Sequence, residues 1–334
     1  MNVKIPCFNI HISSFLLHHL YFTFQTSSTM KLSTKIALVV SLFALKATPS
    51  VAQLPISHVY CFNMERDGAG INIKNARFLT AFNLYGYNNQ PQWVNNNELY
   101  IAVQTPYDTS QTDILSLSLL NNTVTRITAT AESEYSPTVT PDPRSFSCVR
   151  VDVHSRGGAQ RLWSYPYDRS DGGRDLLSLH QGVGYHCWLS NDKVAMFIVN
   201  GQENYLKIVN VKDQSSIQLG GGIGRCLERM SDGKLAFVQK ATAQTWYIKS
   251  LDPITYSSNI LIETLPGSED FDLMPDGTFI MGYGSKLYGF NPIDPEKRWK
   301  ELVDLSKYGL TNIKRIAISR ELDKIAIVND VIRR

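Results

Sequence analysis

The sequence predicts an all-β protein, a six-bladed β-propeller of four-stranded blades. A stretch that reads as strand, polar turn and strand occurs six times, and its copies begin 41 to 49 residues apart, which fits one copy per blade. Short alternating runs rich in Val, Ile, Tyr and Thr favour strands, and no long helical period interrupts them. The six copies cover residues 91–103, 137–151, 186–199, 227–239, 271–283 and 316–329.

Each of the first five copies is followed by two further strand patterns, which complete a blade of four strands. Gly, Asp or Asn usually stands in the turn before the last strand, as a tight hairpin requires. The third strands are predicted over 114–119, 161–167, 205–211, 245–251 and 286–291. The fourth strands are predicted over 124–128, 176–179, 216–219, 260–264 and 300–305.

The two ends of the chain indicate how the ring closes. No third or fourth strand follows the sixth copy, while 57–63 and 76–82 read as a third and a fourth strand with no partners before them. The run SHVYCFN at 57–63 also resembles SKLYGFN at 285–291. We therefore expect the N-terminal hairpin to complete the sixth blade, which leaves no open sheet edge.

The first 52 residues are typical of a leader. From Met30 the sequence has a basic start, an apolar run centred on 36–45 and small residues up to Ala52, as in a secretory signal peptide. The apolar run is shorter than the roughly 20 residues of a membrane span, so we expect cleavage after Ala52 rather than an uncleaved anchor. Residues 1–29 are interpreted as an upstream start called in error, with a genuine extension as the alternative. The predicted organisation is a signal peptide at 30–52 and a single propeller domain at 53–334, located in the periplasm or outside the cell.

Composition limits the kind of partner. The formal charge of +3 depends on the leader, because residues 1–52 carry four lysines and no acidic residue. The rest of the chain has 29 basic and 30 acidic residues, which provides no basic surface for nucleic acid. Cys61, Cys148, Cys187 and Cys226 all fall in apolar strand patterns, so buried thiols rather than disulfides are predicted. Cys187 and Cys226, on neighbouring first strands, are the least implausible pair.

The polar turns of the repeats share a Pro-Asp-Gly theme, in TPD at 140–142, SDG at 231–233 and MPDG at 274–277. With the apolar residues around it, this pattern resembles the WD40-like (PD40) repeats of TolB-type six-bladed propellers, as found in exported proteins of Bacteroidota. The resemblance covers essentially all of the predicted mature chain. It implies the fold but no single activity, since that fold is shared by periplasmic protein-binding modules, peptidase-associated propellers and polysaccharide lyases. The chain departs from the repeat where the anchor proline is replaced, as by His186.

No familiar catalytic or nucleotide-binding motif occurs in the sequence, so no catalytic residue, cofactor or metal site is predicted. The glycine-rich run at 220–224 lacks the lysine and the helix of a phosphate loop, and a wide turn explains it better. His58, His154 and His180 fall on other strands and turns than His186. They are therefore not expected to converge on one metal, as a lyase of the tri-histidine kind would require.

Candidate binding residues follow from position rather than from a motif. In a propeller, the segments that lead into the first strands lie around one mouth of the central channel, so equivalent residues of the six blades form a ring. Polar, aromatic and charged side chains together are typical of binding sites. The alternative is that the mouth is polar only because it is wet. The candidates are Gln90, Tyr135, Tyr185, His186, Arg225, Asp270 and Arg315.

The predicted function is binding of a protein or glycan partner at this mouth by a monomeric, non-catalytic propeller. One alternative is a polysaccharide lyase or hydrolase with its active site at the mouth, and another is a structural module of an envelope assembly. An enzyme would need titratable groups within hydrogen-bond reach, and the sequence offers Glu228, Glu269 and Asp272 beside Arg225 and Arg229. Neither a nucleic-acid partner nor a membrane span after signal cleavage is expected.

Overall fold

Six sheets of four antiparallel strands form a ring, so the predicted six-bladed all-β propeller is confirmed. The computed structural model describes residues 54–67, 70–152, 158–201 and 203–332. Leu54–Arg334 form one compact unit. The predicted signal peptide and upstream start fall on residues 1–53 and lie outside the described residues.

The first three blades follow chain order from the axis outward. Blade 1 consists of β3 (Tyr87–Asn95), β4 (Glu98–Thr105), β5 (Asp108–Ser118) and β6 (Val124–Arg126). Blade 2 consists of β7 (Ser133–Val139), β8 (Ser145–Asp152), β9 (Ala159–Pro166) and β10 (Arg174–Asp175). Blade 3 consists of β11 (Val183–Trp188), β12 (Lys193–Ile198), β13 (Tyr205–Asn210) and β14 (Ser216–Gly221).

The last three blades repeat the arrangement, except that both ends of the chain share the sixth. Blade 4 consists of β15 (Ile223–Arg229), β16 (Leu235–Lys240), β17 (Trp246–Leu251) and β18 (Ser258–Glu263). Blade 5 consists of β19 (Phe271–Leu273), β20 (Phe279–Tyr283), β21 (Lys286–Phe290) and β22 (Lys300–Asp304). Blade 6 consists of β23 (Ile313–Ile318), β24 (Lys324–Asp330), β1 (Ser57–Asp67) and β2 (Gly70–Phe78).

The N-terminal hairpin closes the ring as predicted. Strand β1 pairs antiparallel with β24, in a register that places Ser57 opposite Asp330 and Asn63 opposite Lys324. Because β24 thereby gains a partner on its outer side, blade 6 has four strands although it is built from two distant parts of the chain.

Two predicted outer strands differ in position from those observed. The fourth strand of blade 6 is Gly70–Phe78 rather than 76–82, because β1 continues to Asp67, which pairs with Gly70; residues Ala81–Asn83 form a 3₁₀ turn instead. In blade 2 the strand is Arg174–Asp175 rather than 176–179, and the N–H of Leu176 still donates to the carbonyl of Leu162 in β9 at 2.9 Å. There Leu177 is fully buried in the cluster between blades 2 and 3, which takes the chain out of the sheet.

The hydrophobic core of the described residues is divided into six clusters, one between each pair of neighbouring blades. Between blades 6 and 1, for example, Trp93 packs beside Val59, and its indole Nε1 donates to the carbonyl of Ala317 at 2.8 Å. Full burial of one large apolar side chain contributes about 1.5–3 kcal/mol. Packing between blades therefore holds the ring together and fixes the first strands around the axis.

Two further observations concern the described residues as a whole. Cys61, Cys148, Cys187 and Cys226 are buried and free. None of the described elements is a helix of the length and apolarity that crossing a bilayer would require.

Candidate functional site

The chain passes from one blade to the next on one face of the ring, which we call the front face. The hairpins between the first and second strands lie on the opposite, back face. On the axis, six of the seven predicted residues line one cavity of ≈ 100 Å³, which we call the front mouth. They are Gln90, Tyr185, His186, Arg225, Asp270 and Arg315.

Irregular pairing at the start of the first strands sets the direction in which these side chains point. The register shifts between Asn89 and Gln92 in β3, and β7 has the same irregularity. Gln90 (φ 56°) and Ser136 (φ 52°) adopt left-handed backbone conformations, and each precedes a proline, which cannot donate to the ladder. As a result the Gln90 side chain reaches blade 2, where its Oε1 accepts the Ser136 N–H at 2.8 Å.

An ion-pair network spans blades 4, 5 and 6. Arg225 donates from Nε to both carboxylate oxygens of Asp270, at 3.2 and 3.0 Å, and from Nη2 to the second of them. The Nη1 atom of Arg315 lies 3.3 Å from Asp270, and Arg225 Nε lies 3.1 Å from Glu269, which also pairs with Lys240. Burial alone would raise the pKa of Asp270, but the two guanidinium groups hold it below its ordinary value. Asp270 is therefore a carboxylate shared by two arginines.

Tyr185 extends the network to blades 3 and 1. Its hydroxyl accepts a hydrogen bond from Arg315 Nη2 at 3.0 Å and lies 3.5 Å from Gln90 Nε2, which donates to it. Its ring packs edge-on against Phe197, with centroids 5.7 Å apart. The hydroxyl thus couples the ion pairs to the glutamine, while the ring belongs to the core between blades 3 and 4.

These residues are more buried than the sequence predicted. The prediction was an exposed ring, whereas Gln90, Tyr185, His186 and Asp270 each expose less than a tenth of their surface. The physical reason is that the side chains bond to one another across the axis instead of pointing outward. Arg225 is more exposed than the two side chains it shares the ion pairs with, at 28% against 14% for Arg315 and 6% for Asp270.

His186 has a defined but incomplete set of partners. Its Nε2 and the hydroxyl of Ser147 are 2.7 Å apart, and the same hydroxyl accepts the indole N–H of Trp188 at 2.9 Å. Its Nδ1 is buried without a hydrogen-bond partner among the described residues. Burial lowers the pKa of His186 to about 3, so the ring is neutral near pH 7.

Ser147 and His186 are spaced like a nucleophile and its general base, but a substrate could not reach the Ser147 hydroxyl. Ser147 is fully buried, and Trp188 occupies its oxygen. Within the described residues no carboxylate orients the free Nδ1, as the third member of a triad would. The pair therefore serves packing between blades 2 and 3.

The other sequence candidates lie away from the cavity. Tyr135 is not among the residues that line it, and its hydroxyl accepts a hydrogen bond from Thr112 Oγ1 at 3.0 Å. His58 and His180 each bond to a backbone carbonyl, and His154 lies outside the described residues. The structure thus brings six of the seven ring residues together and leaves Tyr135 between blades 1 and 2.

Two carboxyl groups lie further along the channel. Glu228 lines the cavity, and Asp272 accepts the N–H groups of Ile318 at 2.6 Å and Leu273 at 2.7 Å. Burial raises the pKa of Asp272 to about 6, even though those two hydrogen bonds lower it. Burial, followed by repulsion from Asp272 and Asp270, raises the pKa of Glu228 well above its ordinary value.

A second, larger cavity lies at the back face and was not predicted. It has a volume of ≈ 630 Å³ and is formed by the ends of the first strands and by their hairpins; we call it the back mouth. Arg229, at the end of β15, and Arg320, just after β23, both line it. The signal in the sequence was arginine near the ends of two first strands, but only the fold shows that they share a cavity.

Comparison with known proteins identifies the fold and no family. No protein-family model matches the chain, and no curated protein sequence matches it significantly. Among solved structures, it is similar to a protein described as TolB from Agrobacterium tumefaciens, with a TM-score of 0.59 and 11% identity over 84% of this chain and 100% of that one. The chain is therefore structurally similar to TolB-like propellers.

Other structures of similar fold serve different roles. A chain of the nidogen/laminin complex matches with a TM-score of 0.55 and 11% identity, over 78% of this chain and 97% of that one. A gluconolactonase from Xanthomonas campestris matches with a TM-score of 0.53 and 7% identity, over 74% of this chain and 86% of that one. At such identities the likeness concerns the fold alone.

Proposed function

We propose that the protein is a non-catalytic propeller that binds a protein or glycan partner at the front mouth. One observation carries the proposal: residues from all six blades, distant in sequence, converge on one cavity with a polar atom left unused. Among the described residues, Arg225 Nη1 makes no hydrogen bond and His186 Nδ1 is buried without a partner. A ligand atom that bonded to Arg225 Nη1 would meet a group already fixed in place by Asp270, which reduces the entropy lost on binding.

The size of the front mouth limits what can enter. A cavity needs about 10–15 Å³ to hold one water, so ≈ 100 Å³ admits one polar group of side-chain size. The partner would insert one such group and contact the surrounding front face with the rest of its surface. A polysaccharide chain would not pass into the channel.

Three groups at and beside the front mouth favour binding over an enzyme, whereas the raised pKa of Glu228, which lines the cavity, is the property that a general acid would need. Asp270 is held as a carboxylate by two arginines, Ser147 is inaccessible, and His186 is neutral and without a carboxylate partner. The fold does not decide the matter, since it occurs both in the nidogen/laminin complex and in a gluconolactonase. A purely structural role in an envelope assembly would not account for a polar atom at the front mouth that makes no hydrogen bond.

The test compares partner capture from envelope extract, run beside a glycan array, for wild type and two variants. Arg225→Lys keeps the charge but removes the forked donor, and Lys314→Glu reverses an exposed charge next to Arg315. We expect binding to fall about tenfold or more in each, as for residues at the centre of an interface. The matched controls are Arg298→Lys and Lys297→Glu, at an exposed arginine and an exposed lysine between β21 and β22 on the back face. Unchanged binding in both front-mouth variants would refute the site.

We also propose that the protein is exported and begins functionally at Gln53, in the periplasm or outside the cell. The support is the signal-peptide pattern of residues 30–52. N-terminal sequencing of the mature protein tests this, with Gln53 as the expected first residue. Retention of Met1 or Met30 would contradict it.

A further inference from the structure

The back mouth differs chemically from the front mouth and does not depend on it. Both Arg229 and Arg320 are exposed, and within the described residues neither side chain forms an ion pair or a hydrogen bond. They come from blades 4 and 6, so two fixed strands bring two free guanidinium groups to one cavity. A guanidinium presents a planar fork of donors that matches a carboxylate.

The acidic residues near these arginines have other partners. Asp192 lines the same cavity but pairs with Lys212 at 2.9 Å. Glu321, next to Arg320 in the chain, accepts a hydrogen bond from Asn96 at 2.6 Å, and Asp323 pairs with Lys324. The cavity thus keeps two cationic groups available for an anion from outside.

The back mouth also has apolar lining residues, which we call the apolar wall: Val139, Pro141, Trp188 and Leu189. The lining residues between and after them are polar: Thr140, Ser190, Asn191 and Asp192. The indole of Trp188 is held by its hydrogen bond to Ser147 Oγ at 2.9 Å, so the wall is rigid on this side. Arginine and tryptophan are the side chains most enriched where binding energy concentrates.

We propose that the back mouth binds an acidic peptide segment of a partner protein. A carboxylate of the segment would bind Arg229 and Arg320, and an adjacent aliphatic side chain would pack on the apolar wall. The volume of ≈ 630 Å³ falls in the range of about 300–1,000 Å³ found for ligand pockets, enough for a few residues. Val139 and Leu189 offer an aliphatic side chain of the segment a surface to pack on, and the side chains of Thr140, Ser190 and Asn191 lie in the same cavity and can bond to its backbone.

The experiment measures binding of a fluorescent peptide of about eight alternating Glu and Leu residues, by anisotropy, to the full-length mature protein. We expect the double variant Arg229→Ala/Arg320→Ala to bind at least about tenfold more weakly, and added salt to weaken wild-type binding. A peptide with Gln in place of Glu should bind as poorly as the double variant does. Both arginines are exposed, so an unchanged melting temperature verifies that the variant is folded.

Matched variants separate this site from the front mouth. Arg298→Ala removes an exposed back-face arginine that already pairs with Glu296, and Arg225→Lys alters only the front mouth; both should bind the acidic peptide like wild type. Equal affinity of the double variant, or equal affinity for the Gln peptide, would overturn the proposal. Preference for an oligouronate over the acidic peptide would also overturn it, in favour of an acidic glycan.

Discussion

The two mouths of one channel contain the same residue type in opposite states. Arg225 and Arg229 both belong to β15, yet Arg225 is tied to Asp270 and Glu269 on the front side, while Arg229 has no ion pair among the described residues on the back side. Blade 6 repeats the contrast with Arg315 and Arg320. The difference shows that an arginine near the axis acquires its role from the blades beside it, and not from its own strand.

The largest expected effect on stability follows from removing the carboxylate of Asp270, which holds the ion-pair network of the front mouth together. Asp270→Asn leaves two mostly buried guanidinium groups without their shared carboxylate, and we expect the free energy of unfolding to fall by about 3–5 kcal/mol. Denaturant unfolding measures this. Asp192→Asn is the matched change at the back mouth, where the ion pair is exposed, and should cost less than about 1 kcal/mol. Similar losses in the two variants would remove the contrast between the mouths.

A smaller effect is expected at the tyrosine that links the network. Tyr185→Phe keeps the ring against Phe197 but removes the hydroxyl bonded to Arg315 and Gln90. The loss should be about 1–2 kcal/mol, as for one hydrogen bond to a charged group. Tyr107→Phe, at a side chain that is 98% exposed, should leave the unfolding midpoint unchanged. No loss in Tyr185→Phe would show that the hydroxyl contributes nothing to the network.

The channel between the mouths should give the protein a pH dependence. The raised pKa values of Glu228 and Asp272 mean that the folded state holds more protons than the unfolded chain in mildly acidic solution. Each contribution to stability is therefore full below the unfolded pKa of the group. For Asp272 it is lost as the pH rises through about 6, its folded pKa, and for Glu228 it is lost as the pH rises through a folded pKa that lies well above the ordinary value.

Glu228→Gln should then be more stable than wild type at about pH 8, by about 1 kcal/mol, and close to wild type at about pH 4.5. Unfolding curves at the two pH values measure the difference. An equal difference at both would mean that Glu228 does not titrate in this range.

The smallest effect on stability is expected at the back mouth. Arg229→Ala and Arg320→Ala remove exposed side chains without partners among the described residues, so each should change the free energy of unfolding by less than about 0.5 kcal/mol. The same denaturation experiment checks this beside Asp270→Asn. A loss above about 1 kcal/mol would show that these arginines stabilise the fold and are not free to bind a ligand.

The sequence predicted the blades well because the alternation that makes each strand is local and recurs with every repeat. The same repetition placed six of the seven candidates at one cavity, since equivalent positions of a ring must converge. It could not show that Tyr135 turns to Thr112, that Ser147 meets His186, or that Arg229 stays free. Those outcomes depend on the neighbouring blade, which lies about 40 residues away in sequence. The short β10 was predicted two residues too late for a similar reason, because Leu177 leaves the sheet to fill space beside blade 3.

The exchange of guanidinium protons with water, followed by NMR on arginine-labelled protein, tests the contrast between the mouths most directly. Slow exchange is expected for the hydrogen-bonded Nε–H of Arg225 and Nη2–H of Arg315, and fast exchange for Arg229 and Arg320. Addition of the acidic Glu-Leu peptide should slow exchange at Arg229 and Arg320 alone. Slow exchange at the back-mouth arginines without peptide, or fast exchange at those of the front mouth, would contradict the assignment of one mouth to an internal ion-pair network and of the other to a free anion site.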